Sequence, residues 1–585
     1  MIRQRLVRPV LLCLTVAFLA PFLAVAQSPV DPTQLSARTS FYFLWRGTPS
    51  GDLRAKNSLY ALWDDPDFAP ARSAFLASLL SSDKNQKEKQ PTLTPEEMKQ
   101  YVTLLDNPFL FGYLHRPESA AAKPPSSPNA APKDSPVWNG SFLIYDRTGK
   151  EELLSKAVLK FRSAETDIPK LTNLTVAGIP ALKIERKSGT AYWAEFGKYA
   201  VSANEQQVFE EIVHLLNGKP ALSALSHVPA FVEAKPLLGG VGEFFLNVSN
   251  IKELALDASG NNSSSAQLKP FLDAFKLDTL HSIAGHVSLE DSRTRVQAAI
   301  LGDTAPGGLF DFFAGGQATP ASMAFLSPDT LYYSESQMDF LGLYKALKRA
   351  FAQAGGNANA GVALLDAMAA NRLGMPLEDA LALTSGEFAS LQTSPAFDND
   401  QKVYFLGIRN KPDTLKLTRT LMGDRLTSER IEGSTTFLKI SLQGNQTKAG
   451  VAQWNFYYLA LTPDALLGAS KSETLHHYLD RTAAADPPNK AFQSARAQFP
   501  EKLSGMTFVD FQRIDWPALK AHWIAEANKA AQDAKSTSTS DAKVPTTLPS
   551  WINDVNPAVF PRHLHTLAGA SWKDAKGVHL EEWLE

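Results

Sequence analysis

Apolar and polar residues along this chain follow two periods, and the switches between them divide it into short strands and single helices. Phe142 to Tyr145 is a short apolar strand, and Lys150 to Phe161 has helical spacing at Leu153, Leu154, Val158 and Leu159. Ala181 to Ile184 and Tyr192 to Ser202 read as strands, followed by Asn204, placed to cap a helix that runs to Leu216. Gly242 to Val248 and Ile283 to Leu289 are further strands, the latter pairing with Arg295 to Leu301 across a polar turn. Thr94-Pro95-Glu96-Glu97 is a helix start, with Thr as cap, Pro in the first turn and Glu97 at the capping-box position. Hairpins mixed with single amphipathic helices predict an α+β fold, with mainly antiparallel sheet covered by helices.

The same phrases occur twice in the same order. Leu280-His281-Ser282-Ile283-Ala284-Gly285 matches Leu564-His565-Thr566-Leu567-Ala568-Gly569, and Phe245-Leu246-Asn247 matches Phe508-Val509-Asp510. Leu182-Lys183-Ile184 matches Leu438-Lys439-Ile440, Phe142 to Arg147 matches Tyr404 to Arg409, and Phe109 to Gly112 matches Phe388 to Leu391. A period this long marks tandem domains rather than a solenoid of small units. The expected organisation is a first α+β lobe over 38–303 and a second over 320–585, divided by the turn formers between Gly302 and Pro320. Four tracts carry too little apolar surface to offset ordering and are expected as loop insertions, near 81–91, 117–136, 259–267 and 534–547.

The N-terminus is patterned differently. Arg3, Arg5 and Arg8 precede an apolar run from Val10 to Ala24 that closes on Ala24-Val25-Ala26, the parts of a signal peptide cleaved after Ala26. The alternative is an uncleaved anchor, for which the run is short. The reading is a protein exported to the periplasm or beyond, with no transmembrane span in the mature chain. Cys13 is the only cysteine and lies within residues 1–26, so the mature chain has no thiol for disulfides, thiolate catalysis or cysteine-ligated zinc. Loss of the three arginines moves the formal charge from −2 to −5, and no segment is basic enough to predict nucleic acid as a partner.

Leu326-Ser327-Pro328-Asp329-Thr330, followed by the apolar Leu331-Tyr332-Tyr333, resembles the L-P-A-D-T opening of a family of uncharacterised exported bacterial proteins, a domain of unknown function. Ser385-Gly386-Glu387-Phe388-Ala389 resembles that family's Gly-Glu-x-Ala strand. The first half departs, beginning Ser40-Phe41-Tyr42-Phe43-Leu44-Trp45 without the Pro-Asp. The resemblance implies two divergent copies of a secreted α+β unit and supplies no catalytic residues.

No GxSxG elbow, P-loop, dinucleotide fingerprint, HExxH or EF-hand loop occurs. Ser81-Ser82-Asp83-Lys84 fits S-x-x-K only by letter. Asp64-Asp65-Pro66-Asp67 could hold calcium, and is read instead as a helix start capped by Asp65 or Asp67. His563 and His565 would share a strand face with His579 nearby, a weak zinc pattern, and His476-His477 diverge on a helix. Phe41 to Trp45, Tyr192-Trp193 and Trp454 to Tyr458 are aromatic runs read as core, or as the lining of a groove. No catalytic, metal or cofactor residue is assigned. The expected function is a non-catalytic binding or assembly protein with an envelope macromolecule as partner. The alternatives are a hydrolase using dispersed Asp and Glu, and capture of a small ligand between the lobes.

Overall fold

The structure is a computed structural model that describes residues 30–49, 51–81, 94–115, 140–163, 170–186, 189–219, 221, 223–252, 272–273, 275–304, 309–313, 319–354, 356–397, 401–442, 455–484, 487–536 and 551–585. The signal segment, the tracts 117–136 and 259–267, and most of the other two tracts lie outside these residues. Ser81 closes a helix (Ala69–Ser81), and residues 534–536, expected as loop, are the last turn of another (Trp516–Ser536).

The fold is α+β, and its twenty strands among the described residues form one sheet. The first ten are β1 (Thr39–Trp45), β2 (Phe109–Leu114), β3 (Ser141–Asp146), β4 (Lys170–Val176), β5 (Ile179–Arg186), β6 (Gly189–Phe196), β7 (Tyr199–Ala203), β8 (Gly242–Asn247), β9 (Leu280–Leu289) and β10 (Thr294–Gly302). The second ten are β11 (Tyr332–Gln337), β12 (Thr384–Gln392), β13 (Lys402–Ile408), β14 (Leu426–Glu432), β15 (Thr435–Leu442), β16 (Asn455–Leu461), β17 (Ala465–Ala469), β18 (Gly505–Asp510), β19 (Thr566–Lys573) and β20 (Gly577–Leu584). Every pairing is antiparallel.

From neighbour to neighbour, the first half runs β4-β5-β6-β7-β3-β2-β1-β8-β9-β10. The second half continues β20-β19-β18-β11-β12-β13-β17-β16-β15-β14. The order of the second half mirrors the first. The halves meet where β10 pairs with β20 from Thr294↔Leu584 to Leu301↔Gly577. At the middle of that pair Gln297 faces Glu581, donating from Nε2 at 2.8 Å.

Residues directly opposite in a ladder share a face of the sheet. Ala299 and Leu301, two and four beyond Gln297, enter the first core with Tyr42, Phe142, Val201 and Phe245 beneath the helix Gln206–Leu216. Trp583, two beyond Glu581, enters a second core with Tyr333, Phe405, Leu467 and Phe508 beneath Ser472–Ala484 and Lys490–Arg496. These cores therefore lie on one side of the sheet. Alternation sends Trp45, Tyr332, Val509 and Leu584 to the other side, into a third core that draws on both halves. The helices Ser58–Asp64, Ala69–Ser81 and Trp516–Ser536 contribute Trp63, Ala71 and Trp516 to it, and Trp516 stacks on Phe560 at 4.3 Å between ring centroids.

Three local expectations need correction. Tyr192 to Ser202 is two strands, because the chain turns at Gly197 with φ +52°. Asn204 does not cap the next helix, since its Oδ1 accepts from the Gly140 N–H at 3.0 Å. Matching the halves by ladder sets Phe142 against Val403, one residue earlier than the phrase match of Phe142 with Tyr404. Phe142 and Val403 are buried and Tyr404 is not, and a slip of one residue exchanges the faces of a strand. The capping box at Thr94 is formed in both directions, 3.1 Å from the Glu97 N–H to Thr94 Oγ1 and 2.8 Å back. No helix among the described residues is long and apolar enough to cross a membrane.

Candidate functional site

The mirrored strand order creates two counterpart seams on the side of the sheet away from the first two cores, one at each end of the β10–β20 pair. At the Leu584 end lies the aromatic third core. At the other end, around Ile300 and Val578, lies a small core of Leu280, Phe310 and Val578 with Phe313 packed against it. Beside that small core is a cavity of ≈ 400 Å³.

Ladder positions set the two seams against each other residue by residue. Trp45, Phe109 and Leu289 pack into the first seam. Their counterparts by register are Ser336, Phe388 and Lys573. Serine replaces an indole, Phe388 is 43 % exposed, and a lysine ends the strand where a leucine was packed. Of these three second-half residues, Lys573 lines the cavity.

Several elements wall the cavity. The 3-10 turn Leu309–Phe312 brings Asp311, and Phe313 follows it in a bridge to Met338. The helix Phe340–Ala354 begins there, with Asp339 Oδ1 accepting from the Gly342 N–H at 2.8 Å. The start of β12 supplies Thr384, Ser385 and Gly386; at Gly386 φ is +90° and a Cβ would stand 2.5 Å from the Met338 carbonyl oxygen, so only glycine fits. Arg409 follows β13, and Lys573 ends β19 with Nζ 3.4 Å from Asp311 Oδ1. Phe340, Leu341 and Leu381 complete an apolar wall.

The polar groups here differ in how fully they are used. Thr384 Oγ1 donates to the Leu381 carbonyl at 3.0 Å, and Ser385 Oγ accepts from the Glu387 N–H at 3.4 Å. The Arg409 guanidinium is exposed and forms no hydrogen bond or ion pair with a described residue.

On the opposite face of the same strands is a buried polar group. Glu387 accepts from the Ser322 N–H at 2.7 Å and the Ala321 N–H at 3.0 Å, and Ser322 Oγ lies 2.8 Å from Tyr333 Oη. Glu335 is 4 % exposed, and its Oε1 has no hydrogen-bond partner among the described residues. Burial first, then the nearby Glu387 charge, pushes its carboxyl up to about 8. Neither glutamate was singled out as a site residue from sequence; the available signal was Glu335 and Gln337 at inward positions of a strand, where apolar residues are expected.

The residues weighed from sequence fall elsewhere. Asp65 caps the turn Pro66–Phe68 through the Asp67 N–H at 2.8 Å, and also accepts from His563 Nε2 at 2.8 Å. Burial works against its ionisation, but these bonds and the Arg562 charge hold its carboxyl below the usual range. Asp64 pairs with Arg54 and Asp67 with Arg562, each at 2.6 Å. His563 ends a helix (Phe560–His563) and β19 begins at Thr566, so His563 and His565 share no strand face. His579 stacks on Trp572 and faces Asp574 at 3.1 Å. His476 stacks on Phe437. Among the described residues no group of three or more His, Cys, Asp or Glu is placed to hold a metal. Tyr42, Leu44, Trp45 and Tyr192 are core, and Lys84 and Trp454 lie outside the described residues.

Compared with family models, curated proteins and solved structures, the chain matches none.

Proposed function

We propose that this chain is an exported, non-catalytic binding or assembly protein of the bacterial envelope, built from two tandem copies of one α+β unit behind a cleaved signal peptide. Its partner is received at the second seam. The observation that carries the reading is the unequal filling of two counterpart seams. The first is packed with Trp45, Trp63, Phe68, Trp516 and Phe560, and the second is a cavity where the Arg409 guanidinium bonds to no described residue.

The duplication rests on agreement between ladder and sequence. Anchoring the halves on His281 and His565 and following the pairings strand by strand brings Phe245 onto Phe508, Phe109 onto Phe388 and Leu182-Lys183-Ile184 onto Leu438-Lys439-Ile440. The same anchor makes Gln297 and Glu581 counterparts, and these two face each other where the halves join. Export rests on the Arg3 to Ala26 pattern and on a mature chain without cysteine.

Two measurements test the reading. N-terminal sequencing of protein recovered from the envelope fraction should begin at Gln27; a start at Met1 overturns cleavage. A photo-crosslinking residue at Leu381, in the cavity wall, should capture an envelope component that the same probe at Phe75, against the packed seam, does not. Equal capture at both positions removes the assignment to the second seam.

A further inference from the structure

We infer that the seam cavity binds a monocarboxylate with an apolar chain. This deepens the proposed function, because it names the chemistry recognised at the same cavity.

The inference rests on which groups in the lining are still free to bond. Asp311 faces Lys573, and Asp339 is engaged by the first turn of its helix. Thr384 has its hydroxyl hydrogen committed to a carbonyl, and the Ser385 oxygen takes the Glu387 N–H. What remains is mainly donor capacity on cations. Arg409 has all five guanidinium N–H groups free of described partners, and Lys573 makes one long contact of 3.4 Å. A planar guanidinium fork matches a carboxylate in two parallel bonds.

Charge and size narrow the class. Two acids and two bases line the space, so a monoanion moves its balance by one charge and a dianionic phosphate by two. Phe313, Met338, Phe340, Leu341 and Leu381 give an apolar wall with no unmet polar need of its own, which an alkyl chain covers favourably. A volume of ≈ 400 Å³ lies within the range of small-molecule sites.

The test is calorimetric titration of the mature chain at neutral pH with decanoate, decanol and decylammonium. Decanoate should bind at least about tenfold more tightly than decanol, the loss expected for one charge-assisted bond, and decylammonium more weakly than either. Arg409→Gln should weaken decanoate by about tenfold or more and leave decanol unchanged. Arg409 is exposed, so an unchanged thermal transition in the variant shows that it still folds. Decylammonium binding as tightly as decanoate, or decanoate binding unmoved by Arg409→Gln, overturns the inference. If decanoate does not bind while crosslinking at Leu381 still captures a partner, the ligand class fails and the binding role stands.

Discussion

Tyr42 and Tyr333 hold the same ladder position in the two halves, both fully buried, and their surroundings differ. In the first half Tyr42 Oη donates to Glu243 at 3.0 Å, and Arg46 closes the network with a 2.8 Å ion pair to the same carboxylate. In the second half Gln337 holds the ladder position that Arg46 holds in the first. The two backbones make the same bond, Arg46 N–H to the Val241 carbonyl and Gln337 N–H to the Ser504 carbonyl, at 2.9 and 2.8 Å. Two carboxyls, Glu335 and Glu387, occupy that region without an ion-pair partner among the described residues; Arg496 acts on Glu335 only through its field. One half satisfies its buried charge, and the other keeps a carboxyl neutral. The seams differ in the same sense: one is packed, and the other keeps polar capacity free.

The largest effect should come from breaking the satisfied network. Arg46→Ala leaves Glu243 buried without its cation and should cost about 3–5 kcal/mol in denaturant unfolding. A loss below about 1 kcal/mol would mean that water already solvates Glu243.

Glu335→Gln should act in the other direction. With the folded carboxyl near 8 and the unfolded one near 4.5, the folded chain holds a proton across that window that the unfolded chain has released. The contribution of Glu335 is therefore fully present below about pH 4.5 and fades as pH rises to about 8. At pH 8 the glutamine variant should be more stable than the parent by on the order of 2–4 kcal/mol, with a flatter pH profile between those limits. A parallel profile for the two proteins would place the proton elsewhere.

Asp65→Asn probes the packed seam. It keeps the cap on Pro66–Phe68 but gives up the charged partner of His563 and Arg562. A loss of about 1 kcal/mol at neutral pH is expected. Because the folded Asp65 carboxyl lies below its ordinary value, that contribution is present above the unfolded value and disappears as pH falls through the folded one. The parent and variant should converge in acid; a constant gap would show that the loss is not ionic.

The α+β class was legible because strand and helix periods are well separated in this chain. Capping at Thr94 and Asp65 was legible because it depends on a few adjacent residues. The split at Gly197 was not, because Phe196 and Tyr199 continue the apolar run on both sides of a two-residue turn. The register of Phe142 against Val403 was missed because phrase similarity carries no information about faces. The cavity was illegible for a different reason. Asp311, Asp339, Arg409 and Lys573 are scattered along the second half of the chain, and each looks ordinary in its own segment. Only the ladder, by setting Lys573 against Leu289 and Ser336 against Trp45, shows how the two regions differ in packing.

The central claim is that the second seam exchanged apolar packing for binding capacity, and Lys573→Leu tests it most directly by restoring the residue type of Leu289. Equilibrium unfolding and decanoate titration should be run on the same preparation. Stability should rise by about 1 kcal/mol, because an apolar side chain replaces a cation that is only 19 % exposed, and decanoate binding should weaken. A variant that is destabilised and binds decanoate as tightly as the parent would contradict it.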